Sequence, residues 1–325
     1  MSEGEDQVQS VSGIAQIRGV VYTGRMETEL SGHSPTRRQF VVATSTWVTA
    51  GLAGATFADE EKTAKEKPAV RFGIVTDLHY ADKKSVGSRF YRESKAKLTE
   101  AVALFKEQKP DFVVELGDLV DAASTVALET EYLKTIDAVF KTAGCPLHYV
   151  FGNHCLATLT KDEFLKVTGA EKGYYSFDQG GIHFVVLDAC FNSKMEPYAR
   201  GNFSWSDANL PQEEREWLAK DLSKTKNKTV IFVHQRLDKD TSAHRVQNCS
   251  QVRKILEDAG NVLAVFQGHS HTDELEVVND IRYATLAAMV EGQGAENNSY
   301  GMVEVYPTGA VRLDGYRKLT DRSFG

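Results

Sequence analysis

Acidic, amide and imidazole side chains occur in five short motifs along the chain. The motifs read TDLH, GDLVD, GNH, a single His at the end of an apolar run, and GHSH. The candidate ligands and catalytic groups that they supply are Asp77, His79, Asp118, Asp121, Asn153, His154, His234, His269 and His271. Asp, Asn and His offer oxygen and nitrogen ligands without a thiolate. So many groups exceed the needs of one tetrahedral ion, which predicts a centre of two divalent cations.

A two-cation centre carries a definite chemistry. Two divalent ions about 3.5–4 Å apart can clamp a phosphoryl group, activate the attacking water and stabilise both oxygens of an in-line displacement. Each motif also has an ordinary alternative: DxH arises by chance, GNH can form a turn, and Asp118 can cap a following helix. All five motifs in this order favour the metal centre.

The motifs follow predicted β-strands. Apolar, β-rich runs predict strands at 70–76, 112–116, 147–151, 182–187, 229–233 and 262–267. Helical stretches are predicted between them near 89–108, 125–143, 211–223 and 249–259. Ligands in open α/β sheets bind outside the carboxyl ends of the strands, so we expect the motifs to converge on one site.

After residue 270 the pattern predicts strands only. They lie at 274–278, 281–286, 300–306 and 310–316, with hairpin turns at Asn279-Asp280 and Thr308-Gly309. This order of elements predicts an α/β domain with a mixed sheet, arranged as two packed sheets flanked by helices.

The ordered motifs resemble those of the calcineurin-like metallophosphoesterase superfamily over roughly residues 70–317. The resemblance implies a four-layer α/β/β/α sandwich of two mixed sheets with flanking helices, and two divalent metal ions (Mn, Fe or Zn). It implies that one metal is held by Asp77, His79, Asp118 and His271. It implies that Asp118 bridges to the second metal, which is completed by Asn153, His234 and His269.

The same resemblance implies roles for the two remaining motif residues. His154 would lie over the phosphate as leaving-group acid or transition-state stabiliser. Asp121 would orient its imidazole, since a carboxylate fixes the tautomer and favours the protonated ring.

A narrower resemblance concerns the manganese-dependent ADP-ribose/CDP-alcohol diphosphatase branch. It rests on RFGIVTDLHYAD, RFYRESKAKLTEAVALF, FVVELGDLVDA and YGMVEVYPTG. It implies hydrolysis of pyrophosphate linkages in nucleotide diphosphate conjugates. If the loop after Tyr80 lies over the site, Arg89, Tyr91 and Arg92 contact the phosphate or substrate; the alternative is that they are surface residues at a helix start.

The chain departs from the family pattern at two places. Cys155 follows GNH where an acid is common, and Gln235, Arg236 and Leu237 follow His234 where a Pro is common. Neither change removes a predicted ligand, and Arg236 is predicted to add a positive group near the phosphate.

These observations predict an exported phosphoesterase with a dinuclear metal centre. It would hydrolyse a phosphoester or nucleotide pyrophosphate bond through attack of metal-bound hydroxide on phosphorus. The alternative is a non-catalytic metal- or phosphate-binding protein on the same fold. A mononuclear iron oxygenase is disfavoured because the chain offers more ligands than its two His and one carboxylate.

The N-terminal segment predicts export. Arg37 and Arg38 precede an uncharged stretch that runs to Ala58, which resembles a bacterial twin-arginine signal. We therefore divide the chain into an N-terminal extension and signal (1–58), a charged linker (59–68) and a metallophosphoesterase domain (69–325). The predicted location is the periplasm, with a retained, membrane-anchored N-terminus as the alternative.

The net charge limits the classes of binding partner that we expect, and the cysteines raise the separate question of a disulfide. The 325 residues carry a formal net charge of -7, and no basic patch predicts nucleic-acid binding. We expect a small phosphorylated substrate, such as a nucleotide diphosphate conjugate. We expect no membrane contact for the mature form. The four cysteines allow a Cys155–Cys190 disulfide or four free thiols.

Overall fold

The computed structural model describes residues 66–325. The predicted extension and export signal over 1–58, and most of the predicted linker, lie outside the described residues. Within them, no helix combines the length and the apolar character that a membrane crossing requires.

The described chain forms two six-stranded mixed sheets. In the first sheet, β1 (Val70–Val75), β2 (Phe112–Glu115) and β3 (Leu147–Tyr149) are parallel. The antiparallel strands β10 (Ser299–Val305), β11 (Val311–Arg317) and β12 (Arg322–Phe324) continue it beyond β1. The strand order is β12-β11-β10-β1-β2-β3.

The second sheet has a parallel centre and two antiparallel edges. The parallel strands are β5 (Ile182–Val186), β6 (Lys228–Phe232), β7 (Val262–Gln267) and β9 (Ile281–Thr285). The edges are β4 (Tyr175–Gln179) and β8 (Glu274–Val278). The strand order is β4-β5-β6-β7-β9-β8.

An aromatic core joins the two sheets. Phe72 and Phe112 of the first sheet stack with ring centroids 5.0 Å apart, and the edge of Phe72 meets Phe184 and Phe232 of the second. Such offset and edge-to-face pairs add to the stabilisation from burial of apolar area. The sheets are thus fixed face to face by side chains that are almost wholly excluded from water.

Helices cover both outer faces. Helices α1 (Ser94–Gln108), α2 (Val126–Phe140) and α3 (Lys161–Thr168) contribute to the apolar cluster on the first sheet. Helices α4 (Gln212–Lys224) and α5 (Cys249–Ala259) do so on the second. Short 3-10 turns occur at Tyr91–Glu93, Lys141–Ala143, His154–Leu156 and Ala295–Asn297. The result is an α/β/β/α sandwich, as predicted.

The predicted elements are confirmed, and three others were missed. Strand β4 reads YSFDQ and has no buried residue, so it lacks the apolar run that marks the other strands. Helix α3 has only eight residues, and β12 has three.

Two local alternatives from the sequence are also settled. Asp118 caps no helix, because α2 begins after Thr125, whose hydroxyl accepts from the Leu128 amide. All four cysteines are free thiols, so the Cys155–Cys190 disulfide does not form.

Candidate metal centre

The strand ends bring the predicted ligands together. Asp77 follows β1, Asp118 follows β2, Asn153 follows β3, His234 follows β6, and His269 follows β7. The carboxyl ends of parallel strands lie along one edge of a sheet, and the two packed sheets place their edges side by side. Residues that are far apart in sequence thereby form one site.

Asp77, His79 and His271 form the first ligand group. Each offers one ligand atom, and these atoms lie within 4.8 Å of one another. The Nε2 atoms of His79 and His271 are 3.1 Å apart, and Asp77 Oδ1 lies 3.3 Å from His271 Nε2. Two imidazoles and a carboxylate that converge in this way form a ligand set suited to a divalent first-row metal ion.

Asp118, His234 and His269 form the second group, again within 4.8 Å. Asp118 Oδ2 lies 3.2 Å from His234 Nε2 in this group and 3.5 Å from His79 Nε2 in the first. A single oxygen of Asp118 therefore faces both groups, a position from which a carboxylate could bridge two cations.

The hydrogen-bond inventory also fits bound cations. Among the described residues, Asp77 Oδ1, His234 Nε2 and both polar side-chain atoms of Asn153 are buried and have no hydrogen-bond partner. Burial of such atoms without a partner is costly. Cations bound at the two groups would give partners to the acceptor atoms Asp77 Oδ1, His234 Nε2 and Asn153 Oδ1. The residues present therefore fit bound cations.

Three imidazoles are fixed through the nitrogen that faces away from the site. His234 Nδ1 donates to the Leu116 carbonyl at 2.9 Å, and His269 Nε2 donates to the Trp205 carbonyl at 2.9 Å. His271 Nδ1 lies 2.6 Å from Glu291 Oε1. These contacts set the tautomer and leave the other nitrogen of each ring free for a metal.

Electrostatics favour charged carboxylates and neutral imidazoles at several ligands. Burial opposes the charge of Asp118, but His234, His154 and His79 outweigh it and hold its pKa well below the usual range. Burial lowers the pKa of His79 to about 4. An ionised carboxylate and a neutral imidazole are the forms that bind a metal.

The backbone at the ligands is strained. The left-handed region is adopted by five of them, which are Asp77 (φ 52), His79 (φ 46), Asp118 (φ 58), His269 (φ 67) and His271 (φ 58). Such conformations are costly for residues with a Cβ and concentrate at functional sites. At the adjacent Gly152, a Cβ would overlap the Asp118 amide and carboxylate, so the close approach requires glycine.

His154 and Asp121 form a pair beside the ligand groups. His154 Nδ1 lies 2.7 Å from Asp121 Oδ1, and Lys83 Nζ lies 2.9 Å from the other carboxylate oxygen. Burial opposes the charge on His154, but Asp118 and Asp121 outweigh it and raise its pKa above the usual value. The pair therefore holds the imidazole in one orientation and favours its protonated form.

The predicted substrate contacts differ in position. Arg89 lines the cleft over the ligand groups, and its Nε lies 3.8 Å from Glu291 Oε1. Tyr91 is buried beneath Lys83, and Arg92 pairs with the exposed Asp82. Only Arg89 of these three lines the cleft, whereas Arg92 matches the alternative of a surface residue at a helix start.

Arg236 is buried and engaged elsewhere. Its guanidinium donates to Asp238 Oδ2 at 2.6 Å and to Glu274 Oε2 at 2.9 Å. Two carboxylates already neutralise its charge, so a phosphate would have to compete with them. Its substrate contact stays a prediction that this position does not favour.

The open cleft has a volume of about 360 Å³. That is within the range of small-ligand pockets. Its lining is formed by Arg89, Asp118, His154, Trp205, His244, His269 and His271.

Sequence reasoning missed three residues of the site: Lys83, Trp205 and Glu291. All three lie in loops, and each contacts one predicted site residue. Lys83 contacts Asp121, Trp205 contacts His269, and Glu291 contacts His271. Trp205 contributes its carbonyl, which carries no sequence signal. Glu291 is an acidic residue in the loop between two predicted strands, and nothing else in the sequence marks it as part of the site.

Comparisons with known proteins agree with this geometry. The model of the calcineurin-like phosphoesterase family matches residues 70–273. Two plant proteins, both named manganese-dependent ADP-ribose/CDP-alcohol diphosphatase, are similar in sequence. The one from Oryza sativa subsp. japonica is 24% identical over 305 residues, covering 79% of this chain and 94% of the rice protein. The one from Arabidopsis thaliana is 23% identical over 292 residues, covering 75% and 93%.

A solved structure is also similar. It is a dimetal phosphatase from Danio rerio, with a TM-score of 0.70 and 19% identity, and the match covers 79% of this chain and 99% of that one. At this identity the likeness concerns the fold, and it confirms the predicted sandwich.

Proposed function

Because the chain belongs to the calcineurin-like phosphoesterase family and is a metal-dependent phosphoric ester or diphosphate hydrolase, we propose that it cleaves the pyrophosphate bond of a nucleotide diphosphate conjugate. The observation that carries this proposal is the extent of the match to the rice diphosphatase, which spans 94% of that protein. The cleft supports it, since it combines two ligand groups for cations with the guanidinium of Arg89.

The ligands divide between two cations. Asp77, His79 and His271 would hold one, and Asn153, His234 and His269 the other, with Asp118 between them. Two divalent cations bound there would supply an activated water and would offset the negative charge that develops on the phosphoryl oxygens.

The chain's own groups handle orientation and the proton. Asp121 holds the Nδ1 hydrogen of His154, which leaves Nε2 free to donate to an oxygen of the departing phosphate. Arg89, which lines the cleft, would bind a phosphoryl oxygen at the rim. The non-catalytic alternative would leave the His154–Asp121 pair without a role, and the family membership favours the enzyme.

The test is a substrate panel with Mn²⁺-loaded protein. ADP-ribose and CDP-choline represent pyrophosphates, bis-p-nitrophenyl phosphate a diester, and p-nitrophenyl phosphate a monoester. We expect the highest kcat/KM on a pyrophosphate. A higher value on the diester or monoester would refute the pyrophosphate specificity. The Asp118→Asn variant, purified identically, controls for contaminating phosphatases.

We further propose that residues 1–58 direct export by the twin-arginine route. The support is the Arg37-Arg38 pair followed by an uncharged stretch. The test is cell fractionation of the full chain and of the Arg37→Lys/Arg38→Lys double variant in a bacterial host. Periplasmic recovery that the double variant abolishes is expected. Recovery of the uncleaved chain in washed membranes would favour the anchored alternative instead.

A further inference from the structure

Trp205 is exposed at the mouth of the cleft. About half of its surface is open to solvent (48%), although tryptophan is mostly buried in folded proteins. It lies in the loop between β5 and α4 and lines the cleft with His244 and His269. A large aromatic face is therefore available next to the second ligand group.

His244 extends this aromatic surface. Its ring centroid lies 5.0 Å from that of Trp205, with 38° between the planes, and 5.3 Å from that of His269. The His244 backbone is fixed, because its carbonyl accepts from the Arg236 amide at 3.1 Å. Among the described residues, its ring has no hydrogen-bond partner that would commit it to another role.

The two loops that carry these rings are joined to each other. The Gln247 amide donates to the Ala208 carbonyl at 2.7 Å, and the Gln247 side chain donates to the Ser206 carbonyl at 2.5 Å. The Trp205 carbonyl is also held by His269 Nε2 at 2.9 Å. The rings are thus pre-positioned, which reduces the entropy that a ligand must overcome on binding.

We propose that Trp205 and His244 form a stacking platform for the base of a nucleoside diphosphate substrate; the identity of that substrate rests on the function proposed above. Every nucleobase has a π-face, and aromatic side chains bind it with little regard to sequence. The Trp205 ring lies 6.4 Å from the ring of His269, a separation that a sugar can span.

Charge sets the direction of the bound substrate. Arg89 lies beside Glu291, the partner of His271 in the first ligand group, whereas Trp205 holds His269 in the second. A diphosphate over the two groups would therefore have its base toward Trp205 and its other substituent toward Arg89. The platform selects the nucleoside half of the substrate.

The experiment measures what the base contributes to binding. The probes are the α,β-methylene analogue of ADP-ribose and the corresponding di(ribos-5-yl) methylenediphosphonate, which share the non-hydrolysable P–C–P group, its charge and both sugars and differ in the adenine base. Both are titrated by calorimetry into the Mn²⁺-loaded full chain. We expect the ADP-ribose analogue to bind at least tenfold more tightly than the probe without the base, and Trp205→Ala to abolish most of that preference.

Control variants separate stacking from a general disturbance. Trp205→Phe keeps an aromatic face and should keep most of the preference, and His244→Ala should lose part of it. Trp217 packs against Tyr174, away from the cleft, so Trp217→Phe should match the wild type. Bound Mn²⁺ is measured for each variant, because the Trp205 carbonyl touches a predicted ligand.

Two results would overturn the platform: no preference for the nucleoside analogue in the wild type, or an unchanged preference in Trp205→Ala. Hydrolysis is assayed separately. A wild type that shows the preference but does not cleave ADP-ribose would support the platform and refute the pyrophosphatase. Cleavage of ADP-ribose without any nucleoside preference would do the reverse.

Discussion

Among the three predicted ligand imidazoles whose outward nitrogen has a partner in the described part of the chain, His271 is the one that is supported by a side chain, Glu291, which a substitution can remove. His234 and His269 are supported by the backbone carbonyls of Leu116 and Trp205. His271 is held by a carboxylate, and this hydrogen bond lowers the pKa of Glu291 to about 2. Glu291 is therefore ionised at neutral pH and accepts the Nδ1 hydrogen of His271, which points Nε2 toward Asp77 in the first ligand group.

Glu291→Gln should weaken Mn²⁺ binding. The amide keeps the shape but loses the charge that raises the basicity of the ring, and loss of such a support costs about 10–100-fold in metal affinity. Calorimetric titration of chelator-treated protein measures this. The exposed Glu296, in the same loop, gives the matched control Glu296→Gln. Equal affinity in the two variants would exclude a supporting role for Glu291.

His154→Ala should lower kcat and leave both metals bound. His154 also lies within 4.8 Å of His79 and Asp121 in a third cluster of possible ligands, but its Nδ1 is paired with Asp121 and it belongs to neither of the two groups that Asp118 faces. We therefore expect its removal to delete a proton donor and to leave both cations bound. General acid catalysis contributes about 10²–10⁴-fold to rate. Steady-state kinetics and metal analysis on the same preparation test this. A variant with normal kcat, or one that has lost a metal, would contradict the assigned role.

At the scale of elements, the site depends on where strands end. β3 stops at Tyr149, and the turn through Gly152 places His154 so that its amide donates to Asp118 Oδ1 at 2.7 Å. The strand itself is anchored across the sandwich, because the ring of His148 stacks on Phe177 of β4 with centroids 4.0 Å apart. A histidine thus does the packing work of an aromatic residue.

His148 should make stability depend on pH. Burial lowers its pKa from 6.5 to about 4, so the unfolded chain takes up the proton first as pH falls. The stability that the neutral ring contributes is present above pH 6.5 and is lost as pH falls toward 4, by up to about 3 kcal/mol. Urea unfolding at pH 7.5 and pH 5, in excess EDTA, should show a smaller loss in His148→Phe. Parallel losses in both proteins would refute this.

At the scale of the whole molecule, metal binding and folding are coupled. The ligands come from both sheets, and their convergence exists only when the two sheets are packed. A cation that binds the folded chain stabilises it by RT ln(1 + [L]/Kd), about 2.7 kcal/mol at 100 times Kd. This binding free energy offsets the cost of the positive-φ backbone at the ligands and of the repulsion between the buried carboxylates Asp77 and Asp118.

Chelation should lower the melting temperature, and Mn²⁺ should restore it. For a domain of this size we expect a difference of about 5–10 °C at Mn²⁺ near 100 times Kd. Calorimetry across a Mn²⁺ series measures it. Asp118→Asn, which removes the charge facing both groups, should show a much smaller shift. A melting temperature independent of Mn²⁺ would show that the centre does not bind it.

The fold was predictable because its strands are local patterns. The buried strands of a parallel sheet are apolar runs, and each was found within a residue or two of its observed ends. β4 was missed because it is an edge strand without a buried residue. α3 was missed because a helix of eight residues has only about two turns, too few for a clear periodicity of apolar residues. Turn residues such as Asn279 and Asp280 identified the β8–β9 hairpin, since both adopt positive φ.

The sequence by itself determined which ligand types follow which strand, because residue type and strand pattern are both local properties. Only the tertiary structure decided which atoms meet: that Asp118 Oδ2 faces both groups, that Arg236 is paired with carboxylates, and that Trp205 and Glu291 support His269 and His271. These contacts join loops distant in the chain, and one of them uses a backbone carbonyl that every residue possesses. Their formation depends on sheet packing, which no local pattern encodes.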